Sequence, residues 1–565
     1  MEYVIFFAAI ALFLAAIFMK GAWDSHQATK RFVRKLYEDY GKRPEREYKI
    51  ERFLRIDSYY QKHPQEGQID DITWNDLNMD EIFKRMNHTL SSTGEEYLYY
   101  TLRTPKLSEK ELEHQETIVQ YFAEHADERV RIQMLMRTLG GTGNYSLYDY
   151  LEYLSVLGKR SNTRNILLDA AFIPLIIICF FQISIGLGGM ALLLVYNITT
   201  YFREKKEIDP YIVSFAYVMR LINVSGKLVK MDIPVCGEEW KAIRRHKAEL
   251  DRMKSGAFWV LSSTAGATVT TSGNPLDIIM DYIRMAFHVD LIVFNKMLAE
   301  LNKHLDDVDG LVEKIGAVET AICIGEFRVS LDNGWCRPEF RDGKKLEIVQ
   351  GYHPLIEEPV KNSISTSRGV LLTGSNASGK STFLKTVALN AILAQTILTC
   401  TAERYSAPLY YIYSSMSLRD DLESGESYYI VEIKSLKRIL DAALIHQGQV
   451  LCFVDEVLRG TNTVERIAAS TQILLSLSGS RLTCFAATHD IELTDLLQDY
   501  YDNYHFEEDI REGDVFFNYK LMNGKATTRN AIKLLEIMGY DPEIIKQAAG
   551  QAEQFVESGV WKLAQ

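Results

Sequence analysis

Residues 372–382 read "LTGSNASGKST". The run before them, "VLLTG" (370–374), is short, apolar and of strand type, and a helical pattern follows. Gly374, Gly379, Lys380 and Ser381 therefore carry phosphate-loop spacing at the strand–loop–helix junction where such a loop works. Glycines let backbone N–H groups wrap phosphate oxygens, and the helix N-terminus adds a partial positive charge. Gly374, Ser375, Asn376, Ala377, Ser378, Gly379, Lys380, Ser381 and Thr382 form the expected nucleotide cradle. Lys380 is placed to neutralise β- and γ-phosphate oxygens, and the Ser381 hydroxyl to ligate Mg2+.

The stretch "VLCFVDE" (450–456) supplies the second half of an ATP site. Asp455, at the carboxyl end of an apolar strand, is expected to hold Mg2+ through water. Glu456 is placed to polarise the attacking water as general base. His489 closes a third apolar run, "LTCFAATH" (482–489), where an imidazole can sense the γ-phosphate. Lys380, Asp455, Glu456 and His489 are the expected catalytic set, with Ser381 and Asp455 as the Mg2+ ligands. From about residue 346, strand-type runs alternate with helical patterns, which indicates a parallel α/β sheet. Ser424-Gly425, within "LESGESYYIVEI" (422–433), opens a helix and makes a second anion-binding corner. One nucleotide needs one phosphate loop, so this corner is expected to serve a nucleotide held by another subunit. ATP-dependent homodimerisation follows as an expectation.

Two apolar stretches point to a membrane. Tyr3–Met19 is uncharged, close to the lower limit for one crossing, and is followed by Lys20, Lys30, Arg31, Arg34 and Lys35. That polarity predicts an uncleaved anchor over 1–20 with the following chain in the cytoplasm, at the plasma membrane. Ile166–Phe202 is about twice one crossing, with Gln182-Ile183-Ser184 and Gly186, Gly188 and Gly189 offering a turn midway. Lys159, Arg160 and Arg164 flank one end, and Arg203, Lys205 and Lys206 the other. A transmembrane hairpin over 161–204 with both flanks cytoplasmic is expected; a buried helical hairpin is the alternative. Leu276–Phe294, interrupted by Asp277, Asp281, Arg284, His288 and Asp290, reads as one amphipathic core helix.

The remaining divisions follow texture. Residues 21–79 read as a cytoplasmic linker, 80–160 and 205–345 as two parts of a helical core, 346–557 as the ATPase domain and 558–565 as a tail. A weak Gly/Ser/Thr-rich stretch interrupts the second helical part at 262–274. With 565 residues, 47% apolar and 24% charged, there is room for roughly three or four folded domains. A formal charge of −12 argues against nucleic-acid binding by bulk electrostatics. Seven dispersed cysteines, without metal-ligand spacing, fit buried thiols in a reducing compartment.

The series "TGSNASGKSTFLK" (373–385), "SLRDDLESGESYYIVEI" (417–433), "VDEVLRGTNT" (454–463) and "FAATHDIELTDL" (485–496) closely resembles the ATPase domain of the MutS family of DNA mismatch-repair proteins. The lead-in "GYHPLIEEPVKNSI" (351–364) is similar too, and "IFKRMNHTLSSTGEEYLYYTLRTP" (82–105) resembles the start of that family's helical core. The resemblance covers about 80–160 and 285–556. It implies an ABC-type ATPase preceded by an all-α core, in which two subunits sandwich two nucleotides and Ser424 and Gly425 approach the other subunit's γ-phosphate. It departs at Val360, which takes the place of the family's adenine-stacking aromatic. It departs again in the mismatch-reading Phe-x-Glu wedge. The triplets Phe122-Ala123-Glu124 and Phe506-Glu507-Glu508 fall in a predicted core helix and inside the ATPase region. The leading expectation is a membrane-anchored ATPase that moves its helical core. The alternative is an ATP-dependent binder of mismatched or branched DNA, touching phosphates through Lys241–Lys247. An ABC transporter is a third reading, for which two or three spans are few.

Overall fold

The computed structural model describes residues 2–156, 160–254, 259–260, 275–375, 378–416, 428–458, 461–511, 514–526, 531–559 and 561. The chain forms two compact units. One comprises Met1–Pro64, Met86–Tyr100 and Thr117–Val329, and the other Gln65–Arg85, Thr101–Glu116 and Ser330–Gln565. The stretch expected to be weak at 262–274 lies outside the described residues.

Among the described residues, every regular element of the first unit is a helix. It opens on α1 (Glu2–Glu38), which runs on well past the expected anchor over 1–20. The side chains of 2–18 lie outside the described residues. Helices α2 (Thr163–Ala170) and α3 (Phe172–Phe181) lead to an extended Gln182, where the chain turns into α4 (Ile183–Leu228). The turn is thus a single residue, and the three glycines lie inside α4. Two of them set the spacing of the hairpin. A Cβ on Gly186 would stand 2.3 Å from Cys179 Sγ, and one on Gly189 2.6 Å from Leu175 Cδ2. Small residues at such positions let two helix backbones approach closely.

By length and composition, Thr163–Phe181 and Ile183–Asp209 are long and apolar enough to cross a membrane. Their apolar side chains face outward, with Phe180 85%, Phe181 84% and Leu192 75% exposed. Within the described residues most of the hairpin's apolar side chains are thus uncovered. At the foot of the hairpin, Arg160 pairs with Glu207 at 2.6 Å and Arg164 with Glu204 at 3.3 Å. The lower part of α4 changes environment. Phe215, Tyr217, Leu221 and Ile222 are wholly buried in the helical core. At 1.5 Å per residue, this one helix of 46 residues spans about 70 Å.

The expected single helix over 276–294 is two helices, Pro275–Phe287 and α5 (Val289–Leu301), broken at His288 with φ 47°. Apolar periodicity alone does not reveal the break, because the apolar spacing runs on through His288. Helix α6 (Leu305–Val329) is the central core element, with Leu311, Ile315, Ile324 and Phe327 fully buried. Close approach again selects glycine. A Cβ on Gly316 would meet Tyr97 Cβ at 2.5 Å.

The second unit is built on a six-stranded sheet. In chain order its strands are β1 (Gly369–Thr373), β2 (Tyr410–Ser415), β3 (Gln449–Asp455), β4 (Leu482–Ala487), β5 (Tyr501–His505) and β6 (Met522–Asn523). Their spatial order is β6-β5-β1-β4-β3-β2. All neighbours are parallel except β6 with β5. Strands β1 and β4 are buried at every position, as parallel strands covered on both faces must be. A smaller sheet joins Glu339–Phe340, Arg404–Ala407, Leu346–Gly351 and Asn362–Thr366. Residues 65–85 fold with this unit through hydrogen bonds that cap β2. Asp76 Oδ2 accepts from Ser414 Oγ at 2.7 Å and from the Met416 N–H at 2.8 Å.

Candidate nucleotide site

The register of three parallel strands sets the geometry. Leu372 in β1 pairs with Ala487 in β4, and Ala487 pairs with Asp455 in β3. The phosphate-loop motif, the Asp455-Glu456 pair and the segment carrying His489 thus leave the sheet side by side at its carboxyl edge. In open α/β sheets that edge is where ligands bind.

Between β1 and α7 (Lys380–Ile397) the loop turns through two glycines in the positive-φ region, Gly374 at 142° and Gly379 at 110°. A Cβ on Gly374 would lie 2.7 Å from the Phe506 carbonyl oxygen, so the position also excludes bulk. Lys380 is buried, and its Nζ donates to the Gly374 carbonyl at 2.8 Å and the Ser375 carbonyl at 2.7 Å. Ser378 Oγ donates to the same Ser375 carbonyl at 2.8 Å. Ser375 Oγ donates to Glu508 Oε2 at 2.7 Å. Thr382 is exposed and lines the cleft. Asn376 and Ala377 lie outside the described residues, as do Ser424 and Gly425 of the expected second corner.

Ser381 and Asp455, read from the sequence as the Mg2+ pair, converge. Ser381 Oγ donates to Asp455 Oδ2 at 2.5 Å. Two hard oxygen donors beside a phosphate loop fit Mg2+, which takes few protein ligands and completes its shell with water and phosphate. Glu456 follows with φ 59°, in the left-handed region that non-glycine residues rarely occupy. Its N–H donates to the Ala487 carbonyl at 2.9 Å, and its Oε1 lies 2.9 Å from His489 Nε2. The position of His489 is fixed through its neighbours. The Thr488 N–H donates to the Leu372 carbonyl at 2.9 Å, and Asp490 holds Arg466 in two hydrogen bonds of 2.6 and 2.9 Å. The hydrogen bond to Asp490 raises the Arg466 pKa above its ordinary value.

Ser375, Ser378 to Thr382, Asp455 and Glu456 line a cleft of about 520 Å3, within the usual range for small-molecule sites. His489, Arg466 and Asp490 line a smaller cavity on the other side of Glu456. The cleft's other wall is lead-in sequence. Ile356, Val360 and His353 face the cleft together with Tyr519. Val360 is partly exposed there. Burial, with the charge of Lys385 acting in the same direction, lowers the His353 pKa to about 4. Its Nδ1 accepts from the Leu355 N–H at 3.3 Å. Asn362 joins the two walls, donating to the Tyr519 carbonyl and accepting from the Leu521 N–H, both at 2.9 Å.

Sequence reasoning missed Tyr519, Glu508, Arg466 and Asp490. Asp490 adjoins His489 inside a recognised motif, so adjacency was an available signal. Tyr519 and Glu508 come from a segment without motif spacing. The rings of both Phe-x-Glu triplets, Phe122 and Phe506, are buried, so neither is a projecting wedge.

Residues 370–556 match the family described as MutS domain V. The DNA mismatch repair protein MutS of Thermus thermophilus is 33% identical over 225 residues, covering 39% of this chain and 27% of the relative. MutS of Lactobacillus acidophilus is 29% identical over 270 residues, 45% of this chain and 31% of the relative. The human MutS protein homolog 4 is 31% identical over 287 residues, 47% of this chain and 30% of the relative. The matched part thus spans less than a third of each of these relatives.

Proposed function

We propose that this chain is a membrane-anchored ATP hydrolase of the MutS type, with an ABC-type cleft that closes across a homodimer and moves the helical unit. The observation that carries the reading is the convergence of Lys380, the Ser381–Asp455 pair and the Glu456–His489 pair at adjacent strand ends. The match to MutS domain V over the same residues supports it.

In this reading Lys380 and the loop N–H groups bind the β- and γ-phosphates. Ser381 and Asp455 would hold Mg2+, which would supply charge neutralisation on those oxygens. Glu456 accepts the proton of the attacking water, and His489 holds that carboxylate in place. Val360 and Tyr519 give the base an apolar and an aromatic wall. The Ser424-Gly425 corner of each subunit is assigned to the nucleotide of the other.

The outward-facing apolar side chains of α3 and the upper part of α4 support membrane insertion, because soluble surfaces rarely expose so large an apolar patch. The basic flanks favour a plasma-membrane protein with the second unit and the core part of the first in the cytoplasm. Helix α4 continues from the hairpin into the helical core, with Pro210 in its interior, so a displacement of that core has a continuous helical path to the hairpin. Nucleotide drives such a change only to the extent that it binds one state better.

Sedimentation of the detergent-solubilised chain tests the dimer. With Glu456→Gln to block hydrolysis, ATP is expected to yield a dimer and ADP a monomer. A monomer with both nucleotides contradicts the reading.

One observation favours a second reading, ATP-dependent DNA binding. Lys241, Arg244 and Arg245 are exposed on one face of the helix Gly237–Leu250, and relatives carry mismatch-repair names. Filter binding of mismatched and perfect duplexes over a salt series separates the two. Salt-dependent retention with a preference for the mismatch supports DNA recognition, and no retention at low salt removes it.

A further inference from the structure

Dispersed in the sequence, four of the seven cysteines are paired by the fold. Cys452 and Cys484 face each other across β3 and β4, both fully buried. The other pair is different. Cys336 and Cys400 form an isolated antiparallel bridge in which each N–H donates to the other's carbonyl at 2.9 Å. Residues that exchange both hydrogen bonds in this way have Cα atoms about 5.5 Å apart, a separation a disulfide spans. Cys336 is partly exposed and Cys400 is wholly buried.

The thiols have distinct roles. The Cys400 S–H lies between the Asn390 carbonyl, 3.7 Å away in α7, and the Cys336 sulfur. The neighbouring Cys400 thiol foremost, and the Tyr405 backbone, lower the Cys336 pKa below the ordinary thiol value against the opposing effect of burial. A reachable sulfur stabilised as thiolate beside a buried thiol is the arrangement of an attacking and a resolving cysteine.

We propose that Cys336 and Cys400 are a reversible dithiol–disulfide site that reacts with low-molecular-weight disulfides and, when oxidised, staples the segment before the small sheet to the base of the phosphate-loop helix. The Cys336 thiolate attacks one sulfur of the disulfide R–S–S–R, forming a mixed disulfide and releasing one thiolate RS−. Cys400 gives its proton to a thiolate and attacks the Cys336 sulfur, releasing the second RS−. Two protein thiols lose two electrons and R–S–S–R becomes two RSH. The bond closes the 336–400 segment into a loop that contains the whole phosphate loop. Helix α7, which begins at Lys380 and ends at Ile397, is then held at its far end.

The full chain in detergent is incubated with oxidised glutathione, then digested and mapped by mass spectrometry beside thermal denaturation and ATPase measurements. The expected result is a Cys336–Cys400 peptide, a raised Tm and a loss of ATP turnover, all reversed by dithiothreitol. Cys336→Ser and Cys400→Ser are each expected to abolish the Tm shift, and Cys484→Ser to leave it. Glutathione retained on Cys336 without the internal peptide overturns the proposal, as does a cross-linked peptide with no change in Tm. Only the turnover readout rests on the ATP hydrolase reading. A cross-link and Tm shift with no measurable turnover before oxidation uphold the thiol site and count against that reading alone.

Discussion

His489 Nε2 lies 2.9 Å from Glu456 Oε1, and the two residues come from the ends of neighbouring strands. Glu456 holds a left-handed backbone at φ 59°, a conformation costing on the order of 1–3 kcal/mol that persists only where its surroundings fix it. Its N–H is tied to Ala487 and its carboxylate to His489, so the strain is held from both ends. The imidazole is thus a positioning group for the general base.

Replacing His489 with Ala is expected to lower ATP turnover with little change in nucleotide affinity. A hydrogen bond to a charged group contributes about 1.5–3 kcal/mol, which converts to roughly tenfold to a hundredfold in rate. Steady-state phosphate release beside equilibrium nucleotide binding checks it. An equal loss in both would make His489 a binding residue only.

Lys380 and Ser381 are expected to separate nucleotide from metal. Lys380→Ala removes a charged donor from the loop and should weaken ATP binding by roughly tenfold to a hundredfold, at any Mg2+ concentration. Ser381→Ala should leave metal-free nucleotide binding nearly intact and raise the Mg2+ concentration needed for half-maximal turnover. Titrations with ATP at fixed Mg2+, and with Mg2+ at fixed ATP, read the two effects apart.

His353 gives a pH dependence with a definite sign. Its folded pKa is about 4, below the 6.5 of an unperturbed imidazole, so the unfolded chain binds the additional proton between those values. Its stabilising effect is fully present above about pH 6.5 and is lost as pH falls toward 4, with a total on the order of 3 kcal/mol. Denaturant melts of the wild type and His353→Asn at pH 7 and pH 5 are expected to converge as the pH drops. A gap that widened at pH 5 would contradict the assignment.

Gly186 tests the hairpin. Its Cβ would fall 2.7 Å from the Cys179 backbone N, and backbone does not yield as a side-chain tip does. Gly186→Leu is expected to separate α3 from α4, costing about 1–3 kcal/mol of overpacking, and to raise maleimide labelling of Cys179. Unchanged labelling would mean that the two helices do not rely on this close approach.

Local chemistry was legible in the sequence because it is written in contiguous motifs. Gly374 through Thr382 are readable from motif spacing, and Asp455, Glu456 and His489 from their places at the ends of apolar runs. The strand registers then bring Leu372, Ala487 and Asp455 together as a parallel sheet requires. What escaped was brought in by tertiary structure. Residues 65–85 read as linker and helix, yet Asp76 caps β2, a contact between positions more than 330 apart. Tyr519 lines the cleft and Glu508 holds Ser375 of the loop, both from a segment with no periodicity to announce it. The break at His288 was hidden because the apolar spacing runs on through it. The cysteines looked dispersed because sequence distance says nothing about which strands become neighbours.

Single-turnover hydrolysis of γ-labelled ATP by the purified full chain, beside Glu456→Gln, bears most directly on the nucleotide site. The wild type is expected to release phosphate when Mg2+ is added. The variant should hold ATP and release it about 10²–10⁴-fold more slowly as product, the usual contribution of a general base. Equal rates in the two proteins, or a wild type that retains no ATP, would contradict the account.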